Sequence, residues 1–250
     1  MRKMGRKAMI LAAGLGTRLG EATRDRPKAL VEVHGRPLLG ILLERLHREG
    51  FDEVVVNLHH RAGMIRQWLA AHTPEGMQIH LSEETEKPLG TGGGVRHARE
   101  LLIDARNFLI HNVDILSDMS RVDLLDAHEA SGGLATLAVS RRTTQRYLLA
   151  DEKDRLCGWE HTGTGEKIMV REPEGALRRL GYSGVAALSR EALFLLPDEE
   201  VFSLTPFFLD LARDHEVRVN ETPMTYWYDV GKPGVIEEVE RKIPAERLFS

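Results

Sequence analysis

Cysteine is nearly absent from this sequence, since Cys157 is the only one in 250 residues. A lone cysteine excludes an internal disulfide and a cysteine-rich zinc site, and it fits a reducing compartment. Histidine is more abundant, but the 11 histidines show no metal-binding spacing such as H-E-x-x-H. The sequence therefore predicts neither a disulfide-stabilised nor a zinc-dependent protein.

Long apolar runs are also lacking, and no stretch approaches the roughly 20 apolar residues that span a bilayer. The chain does begin with basic residues and a short apolar run at 8–13, which is the pattern of a secretory signal. The glycines after this run belong to a loop that needs an intact strand before it, so we interpret the run as a strand. We therefore expect a soluble protein in the cytoplasm, with no membrane partner.

Positive charge is not in excess, because the formal net charge is −4 and the isoelectric point is near 6.3. Nucleic acids are bound by basic faces, so this composition argues against a nucleic-acid partner. An anionic ligand would need a local group of cations instead. The densest such group that coincides with a glycine-rich turn is Arg18, Arg24, Arg26 and Lys28.

The first half of the sequence alternates apolar, β-rich runs with segments of helical periodicity. The runs AMILAA, EVVVNL, MQIHLS and NFLIHN are predicted strands, and helices are predicted over RPLLGILLERLHREG and MIRQWLAAH. This order is typical of parallel strands joined by crossover helices. The loops after Ala13, Ser82 and Asn112 should then meet at one edge of the sheet, where open parallel sheets bind ligands.

The second half of the chain changes character, because shorter runs such as RYLLADEKDRLCGWE and LGYSGVAAL are separated by turn-rich segments. We expect partly antiparallel strands there, forming a lid on the same sheet. A helix is predicted over SLTPFFLDLARDH and a closing helix over PGVIEEVERKI. The length suits one large α/β domain.

The segment LAAGLGTRLGEATRDRPKAL, residues 11–30, turns from a strand into glycines and cations. A dinucleotide site is one interpretation, because a glycine-rich turn between strand and helix holds pyrophosphate in Rossmann folds. That fingerprint requires G-x-G-x-x-G and an acidic residue at the end of the second strand. Here Gly14, Gly16 and Gly20 are spaced one residue too widely. The second strand ends in Asn57, so we favour a nucleoside triphosphate instead.

The same loop resembles the signature G-x-G-x-R-x-x-P-x-T-x-x-x-P-K of the sugar-1-phosphate nucleotidylyltransferases. The matching residues are Gly14, Gly16, Arg18, Thr23, Pro27 and Lys28, and Glu21 stands where that family usually has proline. Three later segments are similar in the right order: PLGTGGG at 88–94, HNVDI at 111–115 and YWYDVGKP at 226–233, where Lys232 replaces a threonine. Within the family, the chain most resembles N-acetylmuramate-1-phosphate uridylyltransferases and mannose- or heptose-1-phosphate guanylyltransferases.

The resemblance implies an α/β fold with a Rossmann-like, mixed and mainly parallel sheet flanked by helices, the nucleotide-diphospho-sugar transferase fold. It implies one domain over residues 1–250, with a nucleotide-binding half at about 8–140 and a sugar-binding half at about 141–250. The reaction would be attack of a sugar-1-phosphate oxygen on the α-phosphorus of an NTP, giving an NDP-sugar and pyrophosphate. Two polyanions must approach closely, so charge neutralisation and in-line positioning are the main demands.

The resemblance also implies residue roles. Arg18 would grip the departing pyrophosphate, Lys28 would contact phosphate across the reacting centre, and Asp114 and Asp229 match the family's ligands for Mg²⁺. The nucleotide would be bound by Ala12, Ala13, Gly14, Gly16, Thr17, Glu83, Thr91 and Gly92, with Glu84 as an alternative to Glu83. The sugar phosphate would be bound by Asn112, Lys167, Ser183 and Gly184, with Arg141, Arg142 and Arg146 as further cations on that side.

Two other functions stay open at this point. A cytidylyltransferase for a non-sugar phosphate such as phosphocholine would share the loop and the metal ligands. A non-catalytic nucleotide-sugar sensor would share the fold, but Arg18, Lys28, Asp114 and Asp229 are all present, which favours a catalyst. The sequence indicates neither the base nor the sugar, and it leaves a monomer and a small homo-oligomer equally open.

Overall fold

The computed structural model describes residues 5–249, so the basic residues at the very start of the chain lie outside the description. The strands are β1 (Arg6–Leu11), β2 (Glu32–Val33), β3 (Arg36–Pro37), β4 (Phe51–Leu58), β5 (Gln78–Glu83), β6 (Asn107–Asn112), β7 (Ile115–Ser117), β8 (Ala135–Ser140), β9 (Arg146–Ala150), β10 (Leu156–His161), β11 (Glu166–Met169), β12 (Arg178–Ser189), β13 (Val217–Glu221) and β14 (Trp227–Asp229). The helices are α1 (Leu38–Arg48), α2 (Ala62–His72), α3 (Gly90–His97), α4 (Arg99–Leu102), α5 (Arg121–Ser131), α6 (Leu204–Asp214), α7 (Val235–Lys242) and α8 (Ala245–Phe249). Short 3-10 segments lie at Thr17–Thr23, Lys28–Leu30 and Arg190–Phe194.

Most of these strands form one mixed sheet. The strand β1 pairs in parallel with β4 and β6, and β5 extends the parallel part beyond β4. The strand β12 pairs antiparallel with β6, β8 and β9, and β10 and β11 continue the sheet to its other edge. Two short antiparallel pairs, β2–β3 and β7–β14, lie beside it. The predicted Rossmann-like, mixed and mainly parallel sheet flanked by helices is confirmed.

Helices cover both faces of the sheet because side chains alternate along each strand. In β1, Ala8 and Ile10 enter one apolar core, whereas Met9 and Leu11 enter the other. The first core is completed by α1, α2, α5, α7 and α8, and the second by α3, α4 and α6. None of the helices within residues 5–249 combines the length and apolar character that a membrane crossing requires.

Two helical segments differ from the sequence-based prediction. The helix α5 was not predicted, although Ser120 caps it by accepting a hydrogen bond from the N–H of Asp123 at 3.0 Å. It ends at Gly132, which has the left-handed conformation common after helices. The glycines of residues 90–94, which belong to the loop expected after Ser82, form the start of α3 itself. In both segments the intrinsic helix propensity of the residues is too weak a signal to predict the helix.

The protein contains two buried histidines whose lowered pKa values should reduce the free energy of unfolding in mild acid. His128 of α5 contacts the hydroxyl groups of Thr136 and Ser189 through its two ring nitrogens, at 3.0 and 3.1 Å. Burial lowers the pKa of His128 from an ordinary 6.5 to about 4, and burial lowers the pKa of His111 to about 3. The unfolded chain therefore gains protons first as the pH falls below 6.5, which favours unfolding.

We expect the free energy of unfolding to fall as the pH drops from about 6.5 to about 4, with His128 contributing about 3 kcal/mol of the loss. Urea denaturation at a series of pH values measures this fall. In His128→Gln the fall should be shallower by that amount. The control His60→Gln, at an exposed position, should match the wild type. If the free energy of unfolding decreased equally in the wild type and in His128→Gln, the expectation would be contradicted.

Candidate active site

A cavity of about 260 Å³ opens at the edge of the sheet where β1, β4, β5 and β6 end. We call it the narrow cavity. Its wall contains residues that follow these strands, which confirms that the loops after Ala13, Ser82 and Asn112 converge. The narrow cavity is lined by Leu11, Ala13, Gly14, Arg18, Lys28, Asn57, Glu84, Pro88, Gly90, Thr91, Asn112, Val113 and Asp114.

Two buried side chains tie together the floor of the narrow cavity. Oδ1 of Asn57 accepts hydrogen bonds from the N–H groups of Ala12 at 2.7 Å and Ala13 at 3.3 Å. Nδ2 of Asn57 donates to Oε1 of Glu84 at 2.7 Å, and Oε2 of Glu84 accepts from the N–H of Leu89 at 2.8 Å. This network holds the ends of β1, β4 and β5 against the start of α3.

This hydrogen-bond network occupies some backbone N–H groups of the glycine-rich turn and leaves others free to contact a ligand. The N–H groups of Ala12 and Ala13 are already bonded to Asn57, and Ala12 lies outside the cavity wall. The N–H groups of Gly14 and Gly16 make no hydrogen bond within residues 5–249. Thr17 is exposed at the start of the first 3-10 segment. Of the turn's expected phosphate donors, Gly14 and Gly16 are therefore the available ones.

The acidic side chain that reaches the narrow cavity is Glu84. Glu83, the expected nucleotide contact, forms an ion pair with Arg66 of α2 and lies outside the cavity wall. Consecutive side chains at a strand end leave in different directions, so only one of the two can face the site. The alternative, Glu84, is the one that lines the narrow cavity, and its contact with a nucleotide stays a prediction.

The glycines at the start of α3 serve close packing. The N–H of Gly92 donates to the carbonyl of Phe202 at 2.9 Å, and a Cβ at Gly92 would overlap the Phe202 ring. Thr91 lines the narrow cavity, and its hydroxyl accepts a hydrogen bond from the N–H of Leu204 at 2.9 Å. Of these two expected base contacts, Thr91 is at the cavity and Gly92 is buried away from it.

Three charged side chains meet beside the narrow cavity. Nζ of Lys28 forms an ion pair with Oδ2 of Asp114, and only 12% and 13% of the two side chains is exposed. Asp229 joins them because β14 pairs with β7, and the N–H of Val230 donates to the carbonyl of Asp114 at 2.9 Å. A Cβ at Gly231 would lie 2.5 Å from Nζ of Lys28 and 2.6 Å from Oδ2 of Asp114. It would lie 3.1 Å from Oδ1 of Asp229, so the three groups surround one point.

A second cavity of about 670 Å³ adjoins this charged group. We call it the wide cavity. Arg18 and Asn112 line both cavities, so the two cavities meet at these residues. We call this meeting point the junction. The wide cavity is lined by Arg18, Asn112, Ile115, Arg142, Thr143, Thr144, Gln145, Arg146, Leu148, Trp159, His161, Tyr182, Gly184, Thr205, Trp227, Asp229 and Lys232.

The structure brings only some of the residues expected to bind a sugar phosphate to the wide cavity. Asn112 and Gly184 line it, and Gly184 has a φ of +78° that other residues rarely adopt. Ser183 is fully buried and lies outside the cavity wall, although its carbonyl accepts a hydrogen bond from Nε1 of Trp227 at 2.9 Å. Lys167 lies on the exposed strand β11, also outside the cavity wall.

Arg142 is the most firmly held cation of the wide cavity. Its guanidinium stacks on the Trp227 ring, 3.9 Å from the ring centroid, and Nη2 donates to the carbonyl of Tyr182 at 2.7 Å. Burial lowers the pKa of Arg142, and the negative charge of Asp229 opposes this effect. The guanidinium stays protonated at physiological pH because arginine starts from so high a pKa.

Some of the residues that line the cavities could not be recognised as site residues from the sequence, whereas others could. Trp159 and Tyr182 lie in strands, where aromatic residues usually belong to a core. Asn57 is the next-to-last residue of the buried strand β4, and a polar residue near the carboxyl end of such a strand is a usable sign of a ligand site. Lys232 also carries a signal, because it replaces the threonine of the YWYDVGKP segment. These residues come together only through the strand pairing.

The carboxylates beside the narrow cavity fit a magnesium ion. Within residues 5–249, no group of three or more His, Cys, Asp or Glu side chains could by itself hold a metal. Mg²⁺ needs only one or two protein carboxylates, because phosphate oxygens and water complete its six ligands. Asp114 and Asp229 face one point from two sides and supply such a pair.

Comparison with known proteins identifies the family. Residues 7–154 match the family model described as nucleotidyl transferase. The chain belongs to this nucleotidyl transferase family. It is 34% identical over 232 residues to N-acetylmuramate α-1-phosphate uridylyltransferase of Caulobacter vibrioides, which covers 90% of this chain and 92% of that protein.

A second relative is the mannose-1-phosphate guanylyltransferase catalytic subunit beta of Dictyostelium discoideum, 38% identical over 229 residues. The match covers 91% of this chain and 61% of that longer protein. These relatives are sugar-1-phosphate nucleotidyltransferases, the class that the sequence motifs indicated.

Solved structures share the fold. HddC from Yersinia pseudotuberculosis has a TM-score of 0.74 at 22% identity, covering 95% of this chain and 99% of that chain. UDP-glucose pyrophosphorylase from Acinetobacter baumannii has a TM-score of 0.76 at 17% identity, covering 97% of this chain and 95% of that chain. At these identities the likeness concerns the fold alone, and it agrees with the predicted nucleotide-diphospho-sugar transferase fold.

Proposed function

We propose that this protein transfers a nucleotidyl group from a nucleoside triphosphate to a sugar-1-phosphate, giving an NDP-sugar and pyrophosphate. The observation that carries the proposal is the junction of two cavities at Arg18 and Asn112. Lys28, Asp114 and Asp229 stand beside this junction. The narrow cavity would bind the triphosphate and the wide cavity the sugar phosphate. This arrangement supports a nucleotide-binding half at about 8–140 and a sugar-binding half at about 141–250.

In the proposed reaction, a phosphate oxygen of the sugar-1-phosphate forms a bond to the α-phosphorus of the NTP. The bond between the α-phosphorus and the oxygen that bridges to the β-phosphate breaks, and pyrophosphate leaves with that oxygen. Two unit negative charges about 4 Å apart repel by roughly 4 kcal/mol at an effective dielectric constant of 20. Both substrates carry several such charges, so positive charge at the junction is the main catalytic demand.

The chain offers this positive charge through Arg18 and Lys28. Arg18 is exposed and forms no ion pair within residues 5–249, so its guanidinium is available to the departing pyrophosphate. Lys28 lines the narrow cavity and would contact phosphate across the reacting centre, as the family resemblance implies. The free N–H groups of Gly14 and Gly16 would donate to phosphate oxygens, since glycine lets the backbone approach closely.

Asp114 and Asp229 would hold Mg²⁺, which when bound neutralises phosphate charge and polarises the phosphoryl group. The ion pair with Asp114 keeps Lys28 at the same point, so the ammonium group and the two carboxylates act on one phosphate. We also expect the reaction to take place in the cytoplasm, where nucleoside triphosphates are available.

The geometry favours a sugar acceptor over phosphocholine. Among the described residues that line the wide cavity, Arg18, Arg142, Arg146 and Lys232 are cationic, and Asp229 is the one acidic residue. A quaternary ammonium group is bound by aromatic cages that attract a cation. Trp159, Tyr182 and Trp227 also line the wide cavity, but the Trp227 ring is already covered by the guanidinium of Arg142. The four cations around the cavity would repel a quaternary ammonium group, which argues against the cytidylyltransferase alternative.

The test is pyrophosphate release in the presence of Mg²⁺, with GTP, UTP, CTP, ATP and dTTP each supplied with a panel of sugar-1-phosphates. The panel includes the 1-phosphates of glucose, mannose, heptose, N-acetylglucosamine and N-acetylmuramate. Release that requires both an NTP and a sugar-1-phosphate would support the proposal. Arg18→Gln should lose most of this activity, whereas Arg24→Gln on the same loop, an exposed residue beside Glu21, should keep it. Nucleotide binding without release from any pair would contradict the proposal and favour a sensor.

A further inference from the structure

The wide cavity holds more positive charge than a sugar phosphate alone requires. The segment SRRTTQR at 140–146 carries three arginines. Arg141 forms an ion pair with Glu221 at 2.7 Å, away from the cavity. Arg142 and Arg146 line the cavity and form no ion pair within residues 5–249. A concave wall with charge of one sign concentrates ligands of the opposite sign.

These cations lie at different distances from the junction. Asn112 and Gly184 mark the junction end, because a Cβ at Gly184 would lie 3.1 Å from Nδ2 of Asn112. Arg146 lies on β9, which pairs with β12 as far as Leu148 opposite Leu180, and Arg146 and Tyr182 both line the cavity. Tyr182 is two residues before Gly184, or roughly 7 Å along the strand. The cavity of about 670 Å³ that Arg146 shares with the junction residues has room for a sugar ring.

A histidine beside Arg146 offers a second donor. Arg146 and His161 face each other directly in the β9–β10 pairing, and both line the wide cavity. Nδ1 of His161 accepts a hydrogen bond from the N–H of Thr164 at 3.1 Å, so the neutral ring carries its proton on Nε2. This Nε2–H has no acceptor within residues 5–249. Among the described residues that line the cavity, its far end thus presents hydrogen-bond donors and positive charge but no carboxylate. Glu166 is opposite His161 in the β10–β11 pairing and lies outside the cavity wall.

We infer that the wide cavity selects a sugar-1-phosphate that carries a carboxylate, either on the ring or on a ring substituent, and that Arg146 and His161 bind this carboxylate. The inference rests on the proposed function, because it names the class of sugar that the same site accepts. The phosphate lies at the junction and the carboxylate at the far end. A planar guanidinium matches a carboxylate with two parallel hydrogen bonds, which a neutral hydroxyl group cannot form.

Matched pairs of acceptors test the inference. Pyrophosphate release is measured with glucuronate 1-phosphate against glucose 1-phosphate, and with N-acetylmuramate 1-phosphate against N-acetylglucosamine 1-phosphate. Each pair is tested with the NTP that supports turnover. For at least one pair we expect kcat/KM to be roughly 10- to 100-fold higher with the carboxylated member. This ratio is the size of effect that a hydrogen bond between charged groups typically contributes. Preference for glucose 1,6-bisphosphate over glucuronate 1-phosphate would overturn the choice of a carboxylate.

Arg146→Gln should remove most of this preference by lowering kcat/KM for the carboxylated acceptor, with little change for the neutral one. Arg141→Gln is the matched control, because it removes the same charge from the same segment outside the cavity. Equal kcat/KM values within both pairs, or a preference that survives in Arg146→Gln, would overturn the inference and leave the proposed function intact. Absence of pyrophosphate release with every acceptor would overturn the proposed function, and this inference with it.

Discussion

Replacing Asp114 by asparagine is expected to lower kcat by roughly 1,000-fold. The substitution keeps the size of the side chain but removes one of the two carboxylates that face the junction. It also leaves Lys28 without its anionic partner. The fold should survive, because an asparagine oxygen can still accept a hydrogen bond from Nζ of Lys28. Pyrophosphate release at saturating NTP and sugar-1-phosphate measures the loss, and a Mg²⁺ titration should show a higher metal requirement.

The matched control for this experiment is Asp123→Asn, which removes a carboxylate from the exposed first turn of α5. It should retain wild-type kcat and the same dependence on Mg²⁺. An Asp114→Asn variant with kcat within about 10-fold of the wild type, or with an unchanged Mg²⁺ requirement, would show that Asp114 does not carry the metal.

Gly231→Ala is expected to lower kcat by roughly 100-fold, although it adds only one methyl group. The backbone at Gly231 is outside the left-handed region, so alanine fits its conformation. The added Cβ would lie 2.5 Å from Nζ of Lys28 and 2.6 Å from Oδ2 of Asp114. Both atoms are the far ends of flexible side chains, so they can move aside at little cost in stability. Such a movement would displace the charges that the reaction requires, and displacements of about 1 Å at an active site cost about this much.

Two measurements separate this effect from damage to the fold. The Tm of Gly231→Ala should stay within about 3 °C of the wild type, since a loss of 1 kcal/mol shifts Tm by only a few degrees in a domain of this size. The control Gly63→Ala adds the same methyl group in α2, where no atom lies within 4 Å of the new Cβ, and it should keep full activity. A fully active Gly231→Ala would mean that the reaction tolerates movement of this charged group.

Much of the fold could be predicted because burial follows a regular period in the first half of the chain. Residues of β1 enter the two cores alternately, and α1 turns Leu38, Ile41 and Leu42 toward one of them. The helix α5 could not be predicted in this way, because Arg121 and His128 are among its buried residues. Polar residues at buried positions interrupt the apolar pattern, and their partners lie on distant strands.

Arg18, Lys28, Asp114 and Asp229 belong to motifs with fixed spacing, so their placement at one edge of the sheet could be predicted, while their roles stay predictions. The choice between Glu83 and Glu84 could not be predicted, because it depends on how β5 ends against α2 and α3. Lys167 is one of four residues expected to bind the sugar phosphate, yet the strand register places it on the exposed edge of the sheet. Register between distant strands is a property of the folded chain, and a short motif does not contain it.

The pairing of β12 matters for the order in which the chain can fold during synthesis. Residues Arg178–Ser189 pair with β6 in the first half of the chain and with β9 in the second. When the parallel strands have left the ribosome, one edge of β6 still has no neighbour until β12 follows. An open strand edge invites pairing with other chains, so the first half expressed alone would be prone to aggregate. The parallel strands of the first half therefore depend on β12 from the second half to complete the sheet.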